Sequence, residues 1–98
     1  MKTTYDDLVS LSQADRRYLV KVANRTRREL PDCCPFGNEW RNDEKLLKHG
    51  LIEKVNVKTI GCSLGGRKLA RFGRTVLGAC VDALDRRGPI VVAVRRAA

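Results

Sequence analysis

The cysteines and the histidine are the residues of this sequence that would be the first candidates for a zinc site or for nucleophilic chemistry. They are Cys33, Cys34, Cys62, Cys80 and His49. No two cysteines form a C-x-x-C pair, adjacent cysteines rarely bond to each other, and a single histidine cannot build a histidine-based metal cage. The spacing therefore favours cysteines that act as small apolar side chains. A zinc site that combines some of them with the histidine stays open as an alternative.

Sequence motifs for catalysis are missing. The chain contains no G-x-S-x-G, no phosphate-binding loop and no H-E-x-x-H motif. Gly65-Gly66-Arg67-Lys68 is too short for a phosphate-binding loop, and Cys33-Cys34 has no base beside it in the sequence. Ninety-eight residues predict one domain, residues 1–98, which is too small to enclose a large active site. We therefore expect surface recognition, no enzymatic activity and no cofactor.

Positive charge is the strongest compositional signal. The chain carries 20 lysines and arginines against 11 aspartates and glutamates, which gives a net charge of +9. A compact domain this basic attracts polyanions, with nucleic acid as the first candidate and an anionic membrane or acidic protein as the second. No apolar run approaches the roughly 18 residues of a membrane span, and the N-terminus does not resemble a signal peptide. We therefore expect a cytoplasmic protein with reduced thiols and no membrane partner.

The first predicted helix runs from about Gln13 to Glu29. The S-x-x-D signal of Ser12 and Asp15 starts it, and Leu30-Pro31 ends it. Residues 6–10 are expected to form a short leading turn. The apolar stripe of the helix comprises Leu11, Tyr18, Leu19, Val22 and Ala23. The cations expected mostly on its other faces are Arg16, Arg17, Lys21, Arg25 and Arg28.

The second predicted helix runs from about Asn38 to His49, after a loop over residues 31–37 that is rich in proline and cysteine. Gly50 is expected to end it in a left-handed backbone conformation. Its apolar side comprises Phe36, Trp40, Leu46, Leu47 and Leu51, with Trp40 as a core anchor. The residues expected to face outward are Arg41, Asn42, Lys45 and Lys48.

A basic hairpin and a third helix follow. The first strand covers residues 52–58, a glycine-containing turn covers residues 61–66, and the second strand covers residues 67–69. The third helix runs from about Ala70 to Arg87, and Gly88-Pro89 stops it. Its apolar stripe comprises Phe72, Val76, Leu77, Cys80, Val81 and Leu84. Residues 90–94 have strand character and could take the place of a third wing strand or pair with a second copy of the chain.

Two segments in this order resemble winged-helix transcription regulators, the MarR type among them. Residues 46–54, LLKHGLIEK, are similar to the family's L-x-x-x-G-L-I-x-[KR], where the recognition helix passes into the first wing strand. Residues 69–77, LARFGRTVL, are similar to L-T-x-x-G-x-x-x-L, where the second wing strand enters the next helix, with Ala70 in place of the usual threonine. The resemblance covers residues 39–86, with a degenerate middle helix. It implies a recognition helix and a wing that contact DNA.

These observations predict an α+β fold: a small winged-helix domain with about three helices, a β-hairpin wing and a possible C-terminal strand. The expected function is a small transcriptional regulator of bacterial or phage type that binds duplex DNA, with a homodimer as its possible assembly. The expected DNA-binding residues are Arg41, Asn42, Lys45, Lys48, Lys54, Lys58, Arg67, Lys68, Arg71 and Arg74. The alternative is a phage-encoded protein-interaction module, similar to anti-CRISPR proteins, that inhibits a host nucleoprotein complex. In that case Glu39, Asp43 and Glu44 would contact the partner.

Overall fold

A computed structural model of the chain describes residues 4–27, 37–55 and 66–97. The elements in chain order are β1 (Thr4–Leu11), α1 (Gln13–Arg27), α2 (Glu39–Lys48), β2 (Ile52–Val55), β3 (Gly66–Leu69), α3 (Arg71–Asp82) and β4 (Ile90–Ala97). Over these residues the α+β class, the three helices, the hairpin and the C-terminal strand are confirmed. The helix, helix, hairpin, helix order of a small winged-helix-like domain is present.

β1 and β4 form an antiparallel pair over their full length, from Thr4 opposite Ala97 to Leu11 opposite Ile90. The predicted leading turn at residues 6–10 is therefore wrong. Val9 is buried and Ser10 is exposed, which is the alternation of a half-covered strand. The place of a third wing strand, suggested for residues 90–94, is also wrong, because this strand pairs with the N-terminal strand of its own chain in a separate sheet. Pairing with a second copy stays a prediction. The acidic start of β1 hides its strand character in the sequence.

The start of α1 matches the prediction. The Ser12 hydroxyl accepts a hydrogen bond from the Asp15 N–H at 3.2 Å, and an Asp15 carboxylate oxygen accepts one from the Ser12 N–H at 2.9 Å. This reciprocal cap satisfies two backbone donors at the helix end. The predicted apolar stripe is buried throughout, whereas the predicted end at Glu29 lies outside the described residues.

Arg16 is a correction to the outward-facing cations of α1, because its side chain is completely buried. Its guanidinium donates hydrogen bonds to the carbonyls of Leu11 at 2.8 Å, Ala83 at 3.0 Å and Gly88 at 3.0 Å, and also to that of Arg86. An arginine can enter a core when each of its donors finds an acceptor. Arg16 therefore ties the end of β1 to the segment that joins α3 and β4.

α2 begins and ends close to the predicted residues, and Gly50 follows it with a φ of +72°. Trp40, however, is 46% exposed, so its predicted role as a core anchor is wrong. The buried residues of α2 are Asp43 and Leu46. Their side of the helix lies about a quarter turn from Trp40. Polar contacts of Asp43, described below, set this rotation.

β2 and β3 form the predicted hairpin, with Ile52 opposite Leu69 and Val55 opposite Gly66. The residues expected at the far end of the first strand and in the turn, 56–65, lie outside the described residues. α3 ends at Asp82, earlier than the predicted Arg87, because carbonyls beyond this point accept hydrogen bonds from Arg16. Val81, predicted in the apolar stripe of α3, is 51% exposed.

One core joins the elements, and α1 contributes the largest share of it. The buried apolar residues are Val9, Leu11, Tyr18, Leu19, Val22, Ala23, Leu46, Leu51, Ile52, Leu69, Val76, Cys80, Val92 and Val94. The start of α3 passes very close to the segment that joins α2 to β2: a Cβ built on Gly73 would lie 2.0 Å from the Leu51 carbonyl oxygen. None of the described helices is long and apolar enough to cross a membrane.

Candidate nucleic-acid interface

The predicted DNA-binding residues fall on three neighbouring elements. Arg41, Asn42, Lys45 and Lys48 lie on α2; Lys54, Arg67 and Lys68 lie on the hairpin; Arg71 and Arg74 lie in the first turn of α3. Lys58 lies outside the described residues. Backbone hydrogen bonds hold the elements together, since the Leu51 N–H donates to the Leu46 carbonyl at 2.9 Å and the Ala70 N–H donates to the Leu51 carbonyl at 3.0 Å. The end of α2 and the start of α3 therefore meet at one junction.

Asn42 and Lys45 do not face outward as predicted, because both contact Asp15 on α1. The Asn42 amide donates to one Asp15 carboxylate oxygen at 2.6 Å, and the Lys45 ammonium donates to the other at 2.8 Å. Burial by itself would raise the pKa of Asp15. The hydrogen bonds from Lys45, Asn42 and the Ser12 backbone, together with the charge of Lys45, outweigh burial and lower that pKa. Asp15 thus serves both as the cap of α1 and as an anchor for α2.

Arg67 is the clearest departure from the predicted interface. Its guanidinium binds both carboxylate oxygens of Asp43, at 2.8 Å and 3.0 Å. Each of the two side chains is only 3% exposed. The Tyr18 hydroxyl donates to the same carboxylate at 2.6 Å. A buried guanidinium in a two-contact ion pair cannot reach a phosphate. Arg67 instead links β3 to α2, and Tyr18 links α1 to both.

Exposed ion pairs occur nearby but are weaker. Lys68 binds Glu53 at 2.9 Å across the hairpin, and Lys21 of α1 binds Glu39 of α2 at 3.0 Å. Each pair is partly exposed, where pairing contributes little to stability. Lys68 can therefore exchange its partner for a phosphate at small cost. His49, predicted as a helix-end residue, follows the last residue of α2 and lies 3.6 Å from the Asp7 carboxylate.

Five of the predicted cations are exposed and, within residues 4–27, 37–55 and 66–97, form no ion pair. They are Arg41, Lys48, Lys54, Arg71 and Arg74. Lys48 and Arg71 lie next to the α2–α3 junction, where Gly50 packs against the ring of Phe72. We refer to these five cations together as the basic surface. Its charge is available to an external anion.

A groove of about 310 Å³ lies between α2 and the hairpin, beside the basic surface. Trp40 and Leu47 supply its apolar lining, and the Asp43–Arg67 pair lies along it. Its charged side chains outside that pair are Arg41, Glu44 and Lys54. The groove therefore offers an apolar surface for a flat group, with two cations and one carboxylate beside it.

No metal site appears among the residues that the structure describes, since no three His, Cys, Asp or Glu side chains cluster there. Cys80 is buried in the core, and this burial raises the pKa of its thiol. Cys33, Cys34 and Cys62 lie outside the described residues. The zinc alternative that involves them therefore stays a prediction.

Sequence reasoning missed three residues that position α2: Asp15, Asp43 and Tyr18. Two signals could have indicated them. A tyrosine in an apolar stripe needs a partner for its hydroxyl, and Asp43 lies three residues before Leu46, on the same side of the helix. Together these signals point to a buried tyrosine–carboxylate contact.

Comparisons with known proteins do not place the chain in a family. No family model matches it, and no solved structure matches it significantly. A curated relative, Protein ZIP2 of Vanderwaltozyma polyspora, is 36% identical over 80 residues, which cover 74% of this chain and 10% of that protein. The chain thus spans about a tenth of the length of the curated relative that it matches.

Proposed function

We propose that this chain binds duplex DNA through the basic surface, as a small winged-helix transcriptional regulator. The observation that carries this proposal is the set of five exposed cations on α2, the hairpin and α3, without ion pairs in the described ranges. Exposed cations that contact phosphates displace the counterions of DNA on binding, which is a large source of affinity in such complexes. Lys68 joins the set when its weak pair with Glu53 opens.

The internal contacts of α2 support the same proposal from another direction. A recognition helix reads DNA only if its orientation is fixed, and α2 is held by Asp15 on one side and by the Tyr18–Asp43–Arg67 network on another. We infer that these contacts orient α2 in place of the degenerate middle helix. On this proposal Arg41 and Lys48 contact DNA directly. The orientation of α2 that these contacts need is fixed by Asn42, Lys45 and Arg67.

A salt series tests the proposal. Binding of the full chain to random and to operator-like duplexes is measured by fluorescence anisotropy from low to physiological salt. Neutralising Lys54 and Arg71 (Lys54→Gln with Arg71→Gln) removes two phosphate contacts and should flatten the salt slope by about 2. The matched control is Arg25→Gln, an exposed arginine of α1 outside the basic surface, which should leave the slope unchanged. Absence of binding at low salt rejects the proposal. Equal affinity for all duplexes retains DNA binding but rejects the regulator role.

A second candidate function is a protein-interaction module that blocks a host nucleoprotein complex. The exposed Trp40 favours it, because large aromatic side chains are enriched at protein interfaces. Recovery of the same partner from a lysate with and without nuclease would support this function. Loss of every partner after nuclease treatment would favour DNA.

We also propose a homodimer through the outer face of the β1–β4 pair. Leu8 is 71% exposed and Val91 is 64% exposed. Leu8 lies opposite Ala93, so it is a diagonal neighbour of Val91 on this face. Sedimentation over a concentration series tests the dimer: Leu8→Lys should give a monomer, and the control Val81→Lys, on the exposed side of α3, should not. A monomeric wild-type chain at all concentrations would reject it.

A further inference from the structure

Trp40 lies at an unusual place for the only tryptophan of the chain. It is 46% exposed on α2, although the burial of such a side chain is among the largest sources of packing energy. It lines the groove between α2 and the hairpin together with Leu47. The indole thus offers an aromatic face to a ligand at the edge of the basic surface.

The charges around the groove indicate what that ligand carries. Arg41 follows Trp40 on α2, and Lys54 faces the same groove from β2. Neither side chain forms an ion pair with another described residue. Asp43 is neutralised by Arg67, so Glu44 is the one groove carboxylate in this part of the chain without a cationic partner. The groove therefore combines an aromatic face with a net positive rim.

We propose that this groove binds an unstacked nucleobase, with Trp40 stacked on the base and with Arg41 and Lys54 on the flanking phosphates. Stacking on an aromatic side chain next to cations is the usual way in which proteins hold single-stranded nucleic acid. The inference rests on the proposed function and extends it, because the bases of an intact duplex are not available for stacking. The ligand is thus a single strand or a locally melted duplex.

Intrinsic fluorescence provides a direct test, because the single tryptophan of the chain, Trp40, lines this groove. A single-stranded oligonucleotide of 20 nucleotides and a closed hairpin duplex of matched length are titrated into the full chain at low salt. We expect saturable quenching by the single strand and much weaker quenching by the duplex. A poly-glutamate peptide, which matches the cations without offering a base, should not quench.

Substitution completes the test. Trp40→Leu keeps an apolar side chain but cannot stack, and should weaken single-strand binding by about 5- to 140-fold. Trp40→Phe should retain part of the affinity, and the control Val81→Ala, which truncates an exposed apolar residue of α3, should retain all of it. Thermal unfolding checks that each variant is folded.

The outcomes separate this inference from the proposed function. Unchanged single-strand affinity in Trp40→Leu, or equal quenching by poly-glutamate, overturns the base site. If duplex binding and its dependence on Lys54 and Arg71 persist in that case, the proposed function stands. If neither nucleic acid binds at low salt, both fail.

Discussion

Arg67 and Asp43 form a buried ion pair that joins β3 to α2, with Nε 2.8 Å from Oδ1 and Nη2 3.0 Å from Oδ2. The Tyr18 hydroxyl completes the coordination of the carboxylate. The Asp43 carboxylate of α2 therefore links this helix both to the hairpin and to α1. A cation expected to reach DNA is used instead to set the position of the helix that carries other cations.

Removal of one member of this pair should destabilise the fold strongly. Asp43→Ala removes the carboxylate that both ion-pair contacts of the buried Arg67 guanidinium share, and breaking a buried ion pair in this way typically costs about 3–5 kcal/mol in the free energy of unfolding. Urea unfolding measures this cost. The matched control is Glu53→Ala, which removes the exposed partner of Lys68 and should cost under about 1 kcal/mol. Similar costs for the two variants would contradict the buried pair.

The anchor of α2 on Asp15 should make stability dependent on acid pH. Because the folded state lowers the pKa of Asp15 from its ordinary value of 3.8, the unfolded chain binds the proton more tightly. The contribution of Asp15 is then fully present above about pH 4 and is lost as pH falls through the lower folded pKa. Urea unfolding of wild type and Asp15→Asn between pH 2 and pH 7 should show a stability difference that shrinks below pH 4. Two parallel curves would exclude this linkage.

The two glycines of α3 give a paired test of the junction between α2 and α3. An alanine Cβ at Gly73 would meet the Leu51 carbonyl oxygen and the Leu69 side chain, at 2.0 Å and 2.7 Å. Gly73→Ala should therefore destabilise the protein by about 1–3 kcal/mol, the usual cost of overpacking. Gly78→Ala meets nothing within 4 Å and should stabilise the helix by up to about 1 kcal/mol. Thermal unfolding measures the stability of both variants. A Gly73→Ala variant as stable as the wild type would contradict the close approach of Gly73 to Leu51.

Burial of Arg16 should make it essential for the C-terminal part of the fold. Arg16→Met keeps much of the apolar stem but removes the guanidinium donor from the carbonyls of Leu11 and Gly88, and one of two donors from that of Ala83. Unsatisfied buried polar groups cost about 1–3 kcal/mol each, so we expect a loss of several kcal/mol. Hydrogen exchange should show the loss of protection concentrated in β4. The control Arg17→Met changes an exposed neighbour and should leave β4 protected.

The sequence predicts the parts of the fold that rest on local signals. The cap at Ser12, the stripe of α1, the end of α2 at Gly50 and the hairpin that begins at Ile52 follow from residue types and spacing. Apolar periodicity, however, cannot show which polar side chains enter the core. Arg16 and Arg67 read as surface cations because their partners, backbone carbonyls and Asp43, come from elements distant in the sequence.

The candidate site also combines features that local sequence signals predict with features that depend on tertiary contacts. Exposure of Arg41, Lys48 and Lys54 agrees with outward positions inferred from periodicity. The rotation of α2 does not follow from apolar periodicity, since it depends on hydrogen bonds to Tyr18 and Asp15 across tertiary contacts. That rotation moves Trp40 from the expected core to the surface. The base site inferred here could therefore be found only once the helices were placed.

Glu44 is the position at which charge reversal best distinguishes DNA from a protein partner. Asp43 is buried with Arg67, so its reversal would disturb the fold, and the charge of Glu39 is already paired with Lys21. Glu44 is exposed on α2 and lines the groove.

If the chain binds DNA, Glu44→Lys should raise the affinity for DNA and steepen the salt slope by about 1, because one repulsive charge is replaced by a phosphate contact. If it binds a protein through its acidic residues, capture of that partner should fall. Anisotropy and pull-down on the same preparations measure both, with Asp82→Lys on the exposed side of α3 as the control. Reduced DNA affinity in Glu44→Lys would count against DNA contact by α2.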